Sequence, residues 1–265
     1  MWIGFADCND NGRVDLGLQD RRALVTAASK GLGRACAEAL VAEGAGVFIS
    51  SRDPTSIEAA GKAIKAAGWA AADVSEAPEA VVGQARARLG GLDILVVNAG
   101  GPPPGTFDST PLESWGPAFQ LTLMSAVRLV KAALPDLKRS EQGRIVFITS
   151  VSVRQPIPHL VLSNSLRAAV TGLAKTLSRE LAADRITVNC LAPDAILTDR
   201  IRQLAAGAGG EIEEELKRRA AAAPMGRYGE PAEFGAACAF LCSKQAGYIT
   251  GQTLGVDGGA LLGVY

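Results

Sequence analysis

Residues 25–35 read VTAASKGLGRA, an apolar run that breaks into a turn carrying Lys30, Gly31 and Gly33 before helical spacing takes over. Glycines at such a turn let the backbone approach a ligand closely. The helix that follows presents unbonded N–H groups and the positive end of its dipole to an anion. About twenty residues past the glycines, a second apolar run ends in Ser51 and Arg52, the separation expected within one dinucleotide-binding unit. An acidic residue there would accept from a ribose 2′-hydroxyl; a guanidinium suits a 2′-phosphate instead. Arg52 and Lys30 together predict a site for NADP(H) rather than NAD(H). Asp53 lies next to Arg52 and tempers this, and two solvated surface cations are the plainer alternative.

These residues need elements to hold them. From about residue 20 the chain alternates short, nearly continuous apolar runs with segments of helical spacing. Strands are expected in 22–28, 46–52, 68–75, 92–101, 143–152, 185–193 and 251–259. Helices are expected in 32–44, 56–68, 79–91, 112–139, 163–183, 199–223 and 231–243. Such alternation implies an α/β fold, a doubly wound parallel sheet of Rossmann type covered by helices on both faces. No linker interrupts the rhythm, so residues 19–265 read as a single domain and 1–18 as an N-terminal extension. Ligands in these sheets sit beyond the carboxyl ends of the strands, near the reversal in strand order.

The totals narrow the function. The chain has 265 residues, with 27 Lys and Arg against 27 Asp and Glu and no net charge, so nothing favours nucleic acid as a partner. No apolar run is long enough for a membrane span, and the start lacks the pattern of a signal peptide. Five scattered cysteines (8, 36, 190, 238 and 242) fit reduced thiols in the cytoplasm. Cys238 and Cys242 are expected to be packing residues of a helix; with His159 the sole histidine, no metal is expected. Residues 7–18 imitate a calcium loop, with Asp7, Asn9, Asn11 and Asp15 at ligand positions and Gly12 at the turn. Leu18 stands where a bidentate Glu belongs, so a polar extension is the expectation.

The motifs together resemble those of the classical short-chain dehydrogenase/reductase family, particularly its 3-oxoacyl-carrier-protein reductases. TAASKGLG (26–33) is similar to the family's TGxxxGxG turn, with Ala27 for its first glycine, which implies cofactor contacts at Thr26, Ser29, Lys30, Gly31, Leu32 and Gly33. Asp73 and Val74 resemble the pair that holds adenine. Asn98, Ala99 and Gly100 resemble the NAG motif. PMGRYGEPAEFG and YITGQTLGVDGG resemble the C-terminal signature. The resemblance implies a nicotinamide cofactor and a homotetramer or homodimer.

The catalytic half departs from the family. A Ser, a Tyr and a Lys act there together with an Asn, the Tyr supplying a proton as hydride arrives. Ser150 matches the serine. Ser163 occupies the tyrosine position, Arg167 the lysine position and Thr122 the asparagine position. Asp194 stands for a usual glycine, and Thr198 matches a nicotinamide contact. A serine hydroxyl has neither the reach nor the acidity of a phenol. Arg167 stays charged, yet it can hold a ribose or a carboxylate. Tyr228 and Tyr248 lie within the C-terminal motifs and Tyr265 is the last residue, so none is expected at the nicotinamide.

Three functions fit. The first is an NADPH-dependent reductase of a conjugated olefin, with Ser150, Ser163 or Arg167 stabilising an enolate. The second is a ketone reductase with a substituted proton donor, for which His159 or a water on Ser163 are candidates. The third is a non-redox NADPH-binding subunit or regulator; a non-redox enzyme such as an isomerase is a remoter option. Substrate walls are expected from 100–108, 153–160 and 194–223, with the last segment a possible lid. Arg154, Arg200 and Arg202 suit either an anionic substrate or solvent.

Overall fold

Ile94–Val97, sequence ILVV, has every side chain buried, as does Arg144–Ile148. A strand of that kind needs cover on both faces, and the computed structural model supplies it. The structure describes residues 14–199, 201 and 212–264. The strands are β1 (Arg22–Val25), β2 (Gly46–Ser51), β3 (Gly68–Ala71), β4 (Ile94–Val97), β5 (Arg144–Ile148), β6 (Thr187–Pro193) and β7 (Thr253–Val256). They form one sheet in the order β3-β2-β1-β4-β5-β6-β7, and every pair is parallel. The helices are α1 (Gly31–Ala42), α2 (Pro54–Ile64), α3 (Pro78–Leu89), α4 (Trp115–Phe119), α5 (Ser125–Arg139), α6 (Val161–Glu180), α7 (Ile212–Ala222) and α8 (Pro231–Cys242).

Two cores form, one on each face of the sheet. The first holds Cys36, Leu40 and Ile57 with Phe234, Cys238 and Cys242. The second holds Val81, Leu129, Leu137, Val170 and Cys190. Helices α1 and α8 pack at close range: a Cβ on Gly235 would lie 2.5 Å from the Ala35 carbonyl oxygen. The thiols of Cys36, Cys238 and Cys242 fill this contact as small buried groups.

The long helical pattern at 112–139 is built in pieces: a 3₁₀ turn at Leu112–Ser114, α4, a π turn at Gln120–Met124, then α5. Leu18, at the end of the expected extension, is 1% exposed and lies in the first core, and the Leu16 carbonyl accepts from Lys244 N–H at 2.9 Å. Asp15 turns its carboxylate to Gly17 N–H at 2.8 Å. The other calcium-like positions (7, 9, 11 and 12) and Cys8 lie outside the described residues, as do Arg200, Arg202, Tyr265 and most of 199–211.

A buried carboxylate locks the amino ends of the central strands. Asp93 accepts from Arg22 N–H, Nε and Nη2 at 2.9, 2.8 and 2.9 Å, and from the Ser140 hydroxyl at 2.6 Å. Burial alone would raise this carboxyl; the bonds from Arg22 and Ser140 outweigh it and hold it below the ordinary carboxylate range. Its contribution to stability is therefore complete above the unfolded value of about 3.9 and is lost as pH falls through the lower folded value. Asp93→Ala leaves Arg22 and Ser140 without their acceptor and is expected to cost about 3 kcal/mol in denaturant unfolding at neutral pH. The deficit should shrink toward acid pH.

Candidate active site

Strand order reverses between β1 and β4, and the polar residues just past those strands are stitched together. Thr26 N–H donates to the Val96 carbonyl at 3.2 Å. The Thr26 hydroxyl donates to the Asn98 carbonyl at 2.6 Å and accepts from Asn98 N–H at 2.9 Å. Asn98 Nδ2 donates onward to the Ala27 carbonyl at 3.2 Å. The crevice thus has a fixed floor.

On this floor the glycine turn bends into α1. Gly31 has φ +60, and Ala27, in the place of the family's first glycine, is held at φ +47. That conformation strains a residue bearing a Cβ. Gly33 has no room for one: an added Cβ would lie 2.5 Å from the Ala27 carbonyl oxygen and 2.8 Å from Asn98 Nδ2. Lys30 caps α1 in extended conformation without a side-chain bond to the helix end, so the first N–H groups remain available to an anion. Thr198 closes over the turn, its Cγ2 3.9 Å from a Cβ built on Gly31.

The far end of the crevice is cationic. Arg52 is 72% exposed and its Nη1 lies 3.9 Å from Asp73 Oδ2. Burial pushes Asp73 up, but Ser75, donating from its hydroxyl (2.7 Å) and N–H (2.9 Å), outweighs it and keeps the carboxyl low. Asp53 is diverted: its side chain caps α2 by accepting from Ser56 N–H at 2.7 Å. Ser51 Oγ is buried without a partner. An orphaned hydroxyl one residue before an exposed guanidinium, itself held only by a long ion pair to Asp73, suits a phosphorylated ribose. Together with the tight Gly33 approach and the open α1 end, it fits a dinucleotide phosphate.

The positions named for catalysis from the sequence gather at the end of β5 and the start of α6. Ser150 follows β5 and accepts from Ser152 N–H at 3.1 Å. Ser163 is half-buried in the first turn of α6. Arg167, one turn on, donates from Nη1 to the carbonyls of Ile148 (2.9 Å) and Thr149 (3.2 Å). Burial pushes its guanidinium down to about 10, so it stays protonated at neutral pH. With Nη1 committed, Nε and Nη2 remain to meet a ligand. Thr122 lies in the π turn, buried, and its hydroxyl has no partner; the Ser152 hydroxyl is in the same state. A π turn inside a helix often marks a working site.

The residues named from sequence at the turn, Ser51, Arg52, Asn98 and the α6 positions all fall on this rim. Val74 is buried at the end of the β3 segment, and Ala99 and Gly100 continue the loop from Asn98. His159 is exposed, with φ +59, and its carbonyl accepts from Gly105 N–H at 2.8 Å. Tyr248 is fully exposed. Arg154 is exposed and donates from Nη2 to the Thr253 carbonyl. Two candidates went unread in the sequence. Ser152 is a second hydroxyl two residues past Ser150, and that spacing was its only signal. Asp257 comes level with Asp194, 63 residues earlier, only through the β6–β7 ladder.

Residues 26–260 match the family model described as enoyl-(acyl carrier protein) reductase. Dehydrogenase/reductase SDR family member 4 of Bos taurus is 35% identical over 251 residues, 92% of this chain and 88% of that protein. L-sorbose reductase from Gluconobacter frateurii, solved with NADPH and L-sorbose, superposes with a TM-score of 0.89 at 33% identity, covering 95% of this chain and 100% of its own. A Pseudomonas aeruginosa PAO1 short-chain oxidoreductase with an atypical catalytic centre has a TM-score of 0.87 at 31% identity, over 93% and 99% of the two chains.

The two ends of the glycine turn respond oppositely to substitution. Ala27→Gly relieves the positive φ and is expected to raise unfolding stability by roughly 0.5–1 kcal/mol. Gly33→Ala drives a methyl into the Ala27 carbonyl and Asn98 and is expected to lower it by about 2 kcal/mol. Thermal melts of both variants against the unmutated chain check the pair.

Proposed function

We propose that this chain, which belongs to the short-chain dehydrogenase/reductase family, is an NADPH-dependent oxidoreductase that transfers hydride to a conjugated olefin or carbonyl of a small molecule with a non-standard set of catalytic residues. The observation that carries the reading is the contrast between two halves of one crevice. The cofactor half keeps its glycine turn, its open helix end and a cationic 2′-phosphate corner. The catalytic half keeps Ser150 but has Ser163 and Arg167 where the family has tyrosine and lysine. NADPH bound to the structural relatives supports the same cofactor here.

The bound nicotinamide would supply hydride. The chain supplies the rest. The turn from Ser29 to Gly33 holds the pyrophosphate against the α1 N-terminus. Ser51, Arg52 and Lys30 hold the 2′-phosphate; Asp73 and Val74 hold the adenine. Asn98, Ala99 and Gly100 support the middle of the cofactor, and Thr198 the nicotinamide amide. Arg167, through Nε and Nη2, meets the ribose or the negative charge that develops on substrate oxygen. Ser150 and Ser163 donate to that same oxygen. A small-molecule substrate and a homotetrameric or homodimeric assembly belong to the same proposal.

The replacements at 163 and 167 also favour a second reading, a non-redox NADPH-binding subunit or regulator. Both readings require the cofactor; only the first turns it over.

Titration with NADPH and with NADH, followed by energy transfer from tryptophan to the nicotinamide, is expected to show tighter NADPH binding. Arg52→Ala should weaken NADPH by about tenfold or more, the worth of a charge-assisted bond, and leave NADH unchanged. Absence of saturable binding by either dinucleotide sinks both readings.

A further inference from the structure

Asp194 stands just past β6, and the β6–β7 ladder runs through it. Cys190 N–H bonds the Gln252 carbonyl at 2.8 Å and Asp194 N–H bonds the Val256 carbonyl at 3.3 Å. The offset is the same at both points, so Asp194 keeps strand geometry and shares a face with Cys190. That face belongs to α6, because the Cys190 thiol meets Thr171 of α6 and Thr253 of β7. The Thr171 hydroxyl in turn bonds the Arg167 carbonyl at 3.0 Å.

Heights can be compared from this anchor. Asp194 is four strand residues past Cys190, about 13 Å at the rise of an extended chain. Ser163 is eight helical residues before Thr171, about 12 Å at the helical rise. A crossover helix runs against its strands, so both displacements lead to the carboxyl rim. Ser150 is there as well: Thr149 N–H bonds the Leu191 carbonyl at 2.8 Å, which sets Ser150 level with Pro193.

We propose that Asp194 is the proton donor of this site, delivering its carboxyl proton to the substrate oxygen that gains negative charge, and so fills the vacancy left at position 163. The proposal rests on the reductase reading above. In ketone reduction the carbonyl carbon accepts hydride and its electron pair from the reduced nicotinamide. The C=O π pair moves to oxygen, and oxygen takes the Asp194 proton as the carboxyl O–H breaks. The products are an alcohol, oxidised cofactor and the Asp194 carboxylate, which regains a proton from solvent. With a conjugated olefin, hydride bonds the β-carbon and the enolate oxygen takes the same proton; the enol then returns to the ketone in solvent.

The surroundings suit a carboxyl that starts protonated. Asp257, level with Asp194 just past β7, commits its oxygens to Gly259 N–H (3.1 Å) and Leu261 N–H (3.0 Å). Burial pushes Asp194 upward, and the Asp257 charge adds to it. Of the two acids, Asp194 is the one pushed toward its protonated form. Among the described residues, the nearby cations have partners other than Asp194: Arg167 of α6 gives Nη1 to the Ile148 and Thr149 carbonyls, Arg154 beyond β5 bonds the Thr253 carbonyl, and Arg227 pairs with Glu233.

The test uses the full chain and its Asp194→Asn, Asp194→Gly and Asp194→Glu variants, with NADPH and two probes, 2,3-butanedione and 2-cyclohexen-1-one. Glycine is the family's residue at this position, so that variant folds without strain. NADPH affinity by tryptophan energy transfer should be unchanged in all four. Turnover should drop by about 100-fold in the Asn and Gly variants, the worth of a positioned acid, and persist in part with Glu. In the unmutated protein kcat should decline as pH rises through the Asp194 titration, and the residual rate of Asp194→Asn should lack that limb. Undiminished turnover in Asp194→Asn, or an identical pH limb, overturns the proposal. So does NADPH binding by the unmutated protein without turnover of either probe, an outcome that leaves the cofactor reading standing. Failure to bind NADPH removes the cofactor reading and the proposal with it.

Discussion

Every strand of this sheet points the same way, so all seven carboxyl ends meet along one rim, and the order must reverse somewhere along it. At the reversal, the crossovers depart to opposite faces and leave a crevice. The Thr26–Asn98 exchange of hydrogen bonds spans that crevice at 2.6 and 2.9 Å. It replaces the backbone ladder where β1 and β4 end, and it sets the distance between the glycine turn and the loop after β4. Gly33 is small because Asn98 and Ala27 already occupy its space. Strain at Ala27 is tolerated because its carbonyl is bonded from the same asparagine.

The rim also explains how the proposed catalytic set can differ from the family's while the fold persists. Ser150, Ser163 and Asp194 each come from the end of a different element whose body is buried apolar packing. Exchange of a side chain at an end leaves the cores on both faces untouched. Arg167 is the exception, since it reaches back to bond two carbonyls at the end of β5. It therefore supports the sheet as well as the crevice, and its charge is buried against dipoles rather than against an acid.

Strands and most helices were legible because their burial repeats with the period of their geometry: β4 and β5 as unbroken apolar runs, α1 and α2 by spacing and by glycine or turn residues at their ends. The strand–turn–helix at the glycines and the place of Arg52 just past β2 could be read because both lie in one local βαβ unit. What stayed hidden depends on long-range pairing or on a departure from ideal period. Asp257 beside Asp194 is a fact of strand register. The π turn at Gln120–Met124 has the composition of ordinary helix. Leu18 read as part of a polar extension because its packing partners come from residues far along the chain.

That π turn holds one residue more than an α-helical turn would. A π turn absorbs the added residue locally, so the α-helices on either side stay nearly in phase. Removing one residue from 120–124 would restore a regular α turn between α4 and α5, leaving both ends of this wall of the crevice where they are, while the widened turn that carries Thr122 would close. The shape of the wall at Thr122 is thus set by a count of residues as well as by their kinds.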